Sequence, residues 1–579
     1  MASKENKAKK NPHSSPKKQP GGWKAMPYIL ANETFQRLAI FGLVANFMVY
    51  LTRELHLEQV YAATIVNAWF GFSNFGPLLG AFISDAYVGR FRTIAFGSVV
   101  CLLGMMVVTL TSWMTPPPCT PEQLTLGQCV RASNSQMAVL FTGLGILSIG
   151  SAGVAPCSIP FGVDQFDPTT DEGKKGINSF FNWYYATFTL VLILTQTAVI
   201  YIQDSVSWKL GFGIPTLCMF LSIIFFFVGT RVYVYVKAEG SVFSGVAQVF
   251  VAAYKKRKVK YPSQEEINDG VFFDSPFCGT AVSSKLPMTK QYRVLNKAAI
   301  VMEGELNPDG SRVNKWELVS IQQVEEIKCI ARIIPVWAAG ILSLTSMSQQ
   351  GTFTVSQALK MERHLGPNFQ IPAGSLGVIS LLTIALWIPL YDRFLVPALR
   401  KKTKHEGGIS LLLRMGIGMV FSVLSMVVAG SVEKVRRDSA VSNSNAPISV
   451  FWLAPQLILM GFFEAFNIIA QIEFFNRQFP EHMRSIGNSL VSLSFGVSSY
   501  VSSIIINTVH HTTGTHDHQD WLTNDINAGR VDYFYYLIAG ITTLNLIYFI
   551  YVARGYQYKG SVQVDLHDHD DVELGSLKG

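Results

Sequence analysis

Twelve apolar runs of about twenty residues each dominate this sequence, and they restrict the chain to one kind of solvent. A helix needs roughly twenty mostly apolar residues to cross the hydrocarbon of a bilayer. We place spans near 28–52, 61–84, 93–113, 137–162, 179–202 and 210–235, and again near 329–350, 371–396, 410–430, 448–474, 486–509 and 533–553. Only 15% of the 579 residues are charged and the mean hydropathy is +0.28; about a quarter charged is usual for soluble domains. The reading is an all-α membrane protein of twelve transmembrane helices in two six-helix bundles.

The order of these runs divides the chain. Residues 1–27 read as a disordered cytosolic tail, polar and basic with no apolar core of a signal peptide. An N-terminal bundle spans 28–235, a polar cytosolic linker 236–328, a C-terminal bundle 329–553 and a second cytosolic tail 554–579. Six spans, a linker and six more suggest duplication, with a site between the halves. The linker opens on Lys255-Lys256-Arg257-Lys258 and ends near an acidic helical stretch, Val324-Glu325-Glu326-Ile327-Lys328. It is expected to lie as a tether on the inner membrane surface.

Direction follows from Lys and Arg, which concentrate in cytosolic loops. Arg90 and Arg92, Lys174 and Lys175, and Arg400, Lys401, Lys402 and Lys404 agree on both termini inside. One outer loop, with Lys434, Arg436 and Arg437, breaks the pattern. The net charge of +8 is therefore a topological signal, and nucleic acid is not an expected partner. Cys119 and Cys129 share an outer polar loop and are candidates for a disulfide.

After the second span the chain reads Gly80-Ala81-Phe82-Ile83-Ser84-Asp85-Ala86-Tyr87-Val88-Gly89-Arg90. Asp85, a glycine turn and Arg90 are expected to form a cytosolic charge latch between helices. This loop resembles the signature of the major facilitator superfamily. Three further segments narrow the resemblance: Asn32-Glu33-Thr34-Phe35-Gln36-Arg37, Gly162-Val163-Asp164-Gln165-Phe166-Asp167 and Asn178-Ser179-Phe180-Phe181-Asn182-Trp183-Tyr184-Tyr185. With Ile334-Pro335-Val336-Trp337 and Gln471-Ile472-Glu473-Phe474-Phe475, they resemble the plant nitrate and peptide (NRT1/PTR) transporters of the proton-coupled oligopeptide group. The likeness runs from about Gly22 to Tyr558, and is nearest the arm holding nitrate and glucosinolate carriers.

The resemblance implies a secondary transporter without cofactor, and it locates the chemistry. Charges held deep in a membrane cost several kcal/mol and persist for function or pairing. Glu33, Arg37 and Glu464 are the deep charges, and Glu33 and Arg37 are four apart, so they can pair on one helix face. The family pattern Glu-x-x-Glu-Arg is broken here by Gln36, and the base relatives usually carry in the fourth span is replaced by Ala155. An amide cannot carry a proton near neutral pH. Glu464 thus lacks its expected cation, and proton coupling is in question, with uniport or export as the rivals to symport.

In the best-known nitrate carrier of the family a histidine of the seventh span binds the anion; the matching residue here is Met347. A thioether offers neither charge nor N–H donor. The expected cargo is therefore a larger organic solute, such as a glycoside, with Trp69, Phe72, Phe181, Tyr184, Tyr185 and Trp337 as candidate contacts. A low-affinity nitrate carrier and a non-transporting sensor are the alternatives. Thr93, after Arg90-Phe91-Arg92, is read first as a helix N-cap and second as a phosphorylation site. His510, His511, His516 and His518, and His567 with His569, lack the spacing of a rigid metal set. No phosphate-binding loop or nucleophile–base constellation is found, so neither an ATP-driven pump nor an enzyme is expected. The plasma membrane is the expected location, with the tonoplast second; oligomeric state is not legible.

Overall fold

The computed structural model describes residues 21–556 and 558, apart from 120–128, 168–169, 236–241, 263–270, 275–285, 287, 290–291, 368, 404–407, 443–446, 480–483 and 515–519. Helices account for most of it. We number the long ones α1 Met26–Glu54, α2 Gln59–Ile83, α3 Arg90–Thr111, α4 Asn134–Val163, α5 Asp171–Val206 and α6 Trp208–Arg231 in the first half. The second half comprises α7 Ile321–Leu359, α8 Ala373–Thr403, α9 Leu411–Ser442, α10 Val450–Gln478, α11 Arg484–Thr513 and α12 Val531–Arg554. Eleven are long and apolar enough to cross a membrane. The twelfth, α2, has 25 residues but carries Asn67, Ser73 and Asn74, which dilute its hydropathy.

The two halves repeat one packing scheme. In the first, α1 packs on α5 and α6, α3 on α4 and α6, and α2 on α4. Adding six to each number gives the second half: α7 on α11 and α12, α9 on α10 and α12, and α8 on α10. Small residues permit the closest approaches. A Cβ placed on Gly80 of α2 would lie 1.8 Å from the carbonyl oxygen of Ala152 in α4. Gly89, at φ +84°, makes the turn between α2 and α3.

Several helices run past the apolar runs that announce them. The basic stretch that broke the charge rule is the clearest case, because α9 continues to Ser442. Arg436 is 1% exposed and sits within α9, bound to Glu433, which is 0% exposed. It is not a loop charge, so it casts no topological vote. Likewise Val324 to Lys328 belongs to the first turns of α7, opened by a reciprocal Ser320–Gln323 cap. The described linker packs on α7: the helix Val242–Lys255, Ala298, Ala299 and Val319 share an apolar cluster with Val324 and Ile327. Lys256 is buried there, 2.7 Å from Glu305. Cys119 and Cys129 are joined by a disulfide.

The candidate site between the halves

The first and last described residues, the described linker and the α2–α3 turn lie at one face of the bundle, here called the termini face. The halves meet along α2 and α11, where Phe75 and Tyr500 lie 5.9 Å apart, and at the opposite, far face. There Thr195–Val199 of α5 meets Ala373–Gly377 of α8, and Tyr201 stacks on Phe369. Asp204 joins the halves electrostatically, accepting from Arg53 at 3.1 Å and facing Arg363 at 3.7 Å. Arg363 is 6% exposed. Desolvation lowers its pKa and the neighbouring Arg53 adds to this, while the charge of Asp204 opposes both. Asn507 also donates to Thr64, and Asn524 accepts from the Gln59 backbone N–H.

The deep charges sit on either side of this seam. On α1, Arg37 Nε donates to Glu33 at 3.0 Å, as the four-residue spacing requires. A terminal guanidinium nitrogen of Arg37 donates to the Tyr184 hydroxyl of α5. The same guanidinium lies 4.3 Å from the Tyr184 ring centre and 4.8 Å from that of Phe188. Cation–π contacts of this kind contribute roughly 0.5–2 kcal/mol each. Tyr184 is thus brought to the charge pair, and Phe188 is a partner that sequence reading passed over. An aromatic four residues after Tyr184 on the same helix face was the available signal.

Gln36 is buried on the same helix, and its side-chain oxygen has no hydrogen-bond partner among the described residues. Ala155 is exposed at a break in α4, between the helical segments Asn134–Val154 and Ser158–Val163. Glu464 lies in the other half, partly buried, and opens a five-residue π-turn in α10. Such turns often mark working positions. Glu464 has no hydrogen-bond or ion-pair partner among the described residues, and nothing of that kind joins it to Glu33 or Arg37. Met347 of α7 is partly buried against the central apolar cluster.

The candidate aromatic contacts separate into two groups. Phe72 and Tyr185 are exposed, at 52% and 61%. Phe181 is partly buried and packs on Phe180 at 5.7 Å. Trp69 packs edge-on against Phe47 at 5.6 Å, and Trp337 donates its indole N–H to the Leu490 carbonyl at 3.0 Å, tying α7 to α11. Those two side chains hold helices together.

At the termini face, Arg90 grips Asp164 at the end of α4 with contacts of 2.6 and 2.7 Å. The side chain of Asp85, the acid expected in this latch, lies outside the described residues. Thr93 is not an N-cap. Gly89 holds that position, and the Thr93 hydroxyl donates back to the Gly89 carbonyl at 3.0 Å, one turn into α3. It is also buried, at 8%. Among the histidines, His510 contacts Asp520 at 2.6 Å, whereas His516, His518, His567 and His569 lie outside the described residues. No group of three metal-ligating side chains occurs among the described residues.

A repeated six-helix unit with charged side chains inside its spans is an architecture that suits a membrane transporter. Solved structures share it: that of an auto-inhibited POT family peptide transporter matches with a TM-score of 0.66 at 18% identity, covering 92% of this chain and 97% of that one. The POT family transporter PepTSo matches at 0.64 and 19%, covering 93% and 99%. The family model described as PTR2, POT family, matches residues 91–522. Two relatives from Arabidopsis thaliana, Protein NRT1/ PTR FAMILY 2.13 and 2.12, are 56% and 53% identical over 573 and 555 residues. They cover 97% and 95% of this chain, and 92% and 94% of their own lengths is matched. The chain belongs to the POT, or NRT1/PTR, family and is an integral, multi-pass membrane transporter, not an enzyme.

Proposed function

We propose that the protein carries a small organic solute, of the size of a glycoside or similar specialised metabolite, by alternating access between its two halves. The observation that carries this reading is the state of Arg37. Its charge is compensated by Glu33, one terminal nitrogen is taken by Tyr184 and its face lies near two rings. A small, strongly hydrated anion needs an uncommitted cation with several free donors to replace its water. Ala155 and Met347 supply none, so nitrate would find a poor anchor. A solute with a ring or sugar face could instead use the exposed aromatics, Phe72 and Tyr185.

Alternating access is supported by the distribution of contacts, which tie the halves together at the far face through Asp204, Arg53 and Arg363. Proton coupling is weakened in this reading, because Gln36 cannot titrate and Ala155 supplies no cation for Glu464. In this reading both termini lie in the cytosol and the chain in the plasma membrane. After mild reduction, Cys119 and Cys129 should then react with an impermeant thiol reagent added to intact cells.

Uptake and efflux of labelled nitrate and of a glycoside panel, in oocytes at two pH values, test the proposal. Saturable glycoside flux with little nitrate flux is expected. Saturable nitrate flux that disappears in Arg37→Ala would overturn the choice of cargo, and binding without flux in either direction would make the protein a sensor. Gln36→Glu combined with Ala155→Lys should steepen the pH dependence; a parent already steep and unaltered by the pair would mean another proton route.

A further inference from the structure

At the termini face, α7 and α12 enclose a recess of about 960 Å³ lined by Arg332, Arg554, Tyr292, Tyr556, Ile547 and Tyr551. The two arginines come from different helices and point at one space. Arg554 closes the last turn of α12. Arg332 donates one bond to the Thr289 hydroxyl at 2.8 Å, but its buried Nε has no partner among the described residues. Neither guanidinium makes an ion pair with a described carboxylate. Below them the wall is apolar and open to the outside of the bundle: Ile547 is 60% exposed and Tyr551 80%.

Two guanidiniums without a carboxylate partner among the described residues, above an outward-facing apolar ledge, match one ligand chemistry, an anionic headgroup carrying acyl chains. Arg at a helix end commonly reaches for the membrane surface by itself. That habit explains Arg554 alone, but it explains neither a second arginine from α7 nor a buried Nε left unpaired. A soluble anion would use the guanidiniums and leave the ledge idle. We propose that this recess binds an anionic phospholipid, with Arg332 and Arg554 on its phosphate and the chains along Ile547 and Tyr551. Because Thr289 and Tyr292 belong to the linker, the lipid would brace the linker against the base of α7.

The test uses the full-length protein in detergent, titrated with phosphatidylserine, phosphatidylcholine or inorganic phosphate, with binding followed by native mass spectrometry and thermal shift. Phosphatidylserine should bind more tightly than phosphatidylcholine. Each basic residue near an anionic lipid contributes about 1 kcal/mol, so Arg554→Gln and Arg332→Gln should each weaken phosphatidylserine about fivefold. Arg554 makes no hydrogen bond or ion pair among the described residues and is exposed, so its variant should keep the fold even if Arg332→Gln disturbs the linker. Arg400→Gln, exposed at the end of α8, should have no effect. Equal binding of the two lipids, unchanged affinity in Arg554→Gln, or an equal loss in Arg400→Gln would overturn the site. An arginine-dependent shift produced as well by inorganic phosphate would overturn the lipid assignment.

Discussion

Two carboxylate–arginine pairs inside the spans, one in each half, have the same composition and opposite surroundings. In α9, Arg436 donates to both oxygens of Glu433, at 2.7 and 2.8 Å, and to Asn527 at 2.6 Å. Gln357 donates to Glu433 at 2.8 Å, so the pair is enclosed and bonded on all sides. In α1, Arg37 makes one 3.0 Å contact with Glu33 and its side chain is 23% exposed, with aromatic rings beside it. A fully buried pair held by several bonds has little left to offer a ligand, whereas a partly open one does. Depth in the membrane therefore does not by itself mark a working charge; what matters is whether its partners are complete.

Breaking the α9 pair should have the largest effect. Glu433→Ala leaves Arg436 buried and unpaired, at a cost of about 3–5 kcal/mol, read as a large fall in thermal stability in detergent. Replacing both residues with apolar ones of similar volume should recover most of the loss; no recovery would mean that the pair has a role beyond neutralisation. Next comes the far face. Asp204→Asn sets Arg53 beside Arg363 without a carboxylate, costing the closed seam about 2 kcal/mol, roughly a 30-fold shift between conformations. Labelling of cysteines introduced at that face should rise accordingly, and unchanged labelling would remove Asp204 from the closure.

Smaller effects sharpen the contrast. Trp337→Phe removes one bond between α7 and α11 and should lower stability by about 1 kcal/mol while leaving KM for the solute unchanged. A changed KM would make Trp337 a substrate contact as well as a helix tie. Glu33→Gln should change stability least, by about 0.5 kcal/mol, because the amide oxygen that replaces the carboxylate can still accept the Arg37 bond. Its flux should nevertheless drop, since Arg37 would lose its carboxylate. A stability loss as large as that of Glu433→Ala, with flux retained, would make the two pairs alike and dissolve the comparison.

Much of this architecture was legible before any coordinates. Apolar runs locate helices because lipid leaves the backbone no other way to satisfy its hydrogen bonds, and the Glu33–Arg37 contact follows from spacing on one helix. Other features were hidden for identifiable reasons. The ends of α9 and α7 are polar, so the hydropathy limit fell short of Glu433 and of Val324. Thr93 looked like a cap because caps are read from residue type, yet Gly89 with its positive φ starts the helix. That the Trp337 N–H donates to the Leu490 carbonyl, tying α7 to α11, was not legible either, because the two residues are far apart in the chain.

The sequence by itself determined twelve helices in two sets, the family they belong to, and the pairing of residues one helical turn apart. These are local consequences of hydrophobicity and helical period. Only the tertiary structure decided which charges have complete partners, that Arg37 meets Tyr184, that Asp204 sits between Arg53 and Arg363, and that Arg332 and Arg554 share one recess. Each of those joins residues of different helices, 147 positions apart in the case of Arg37 and Tyr184. No periodicity along a single helix specifies what its neighbour in the bundle will be.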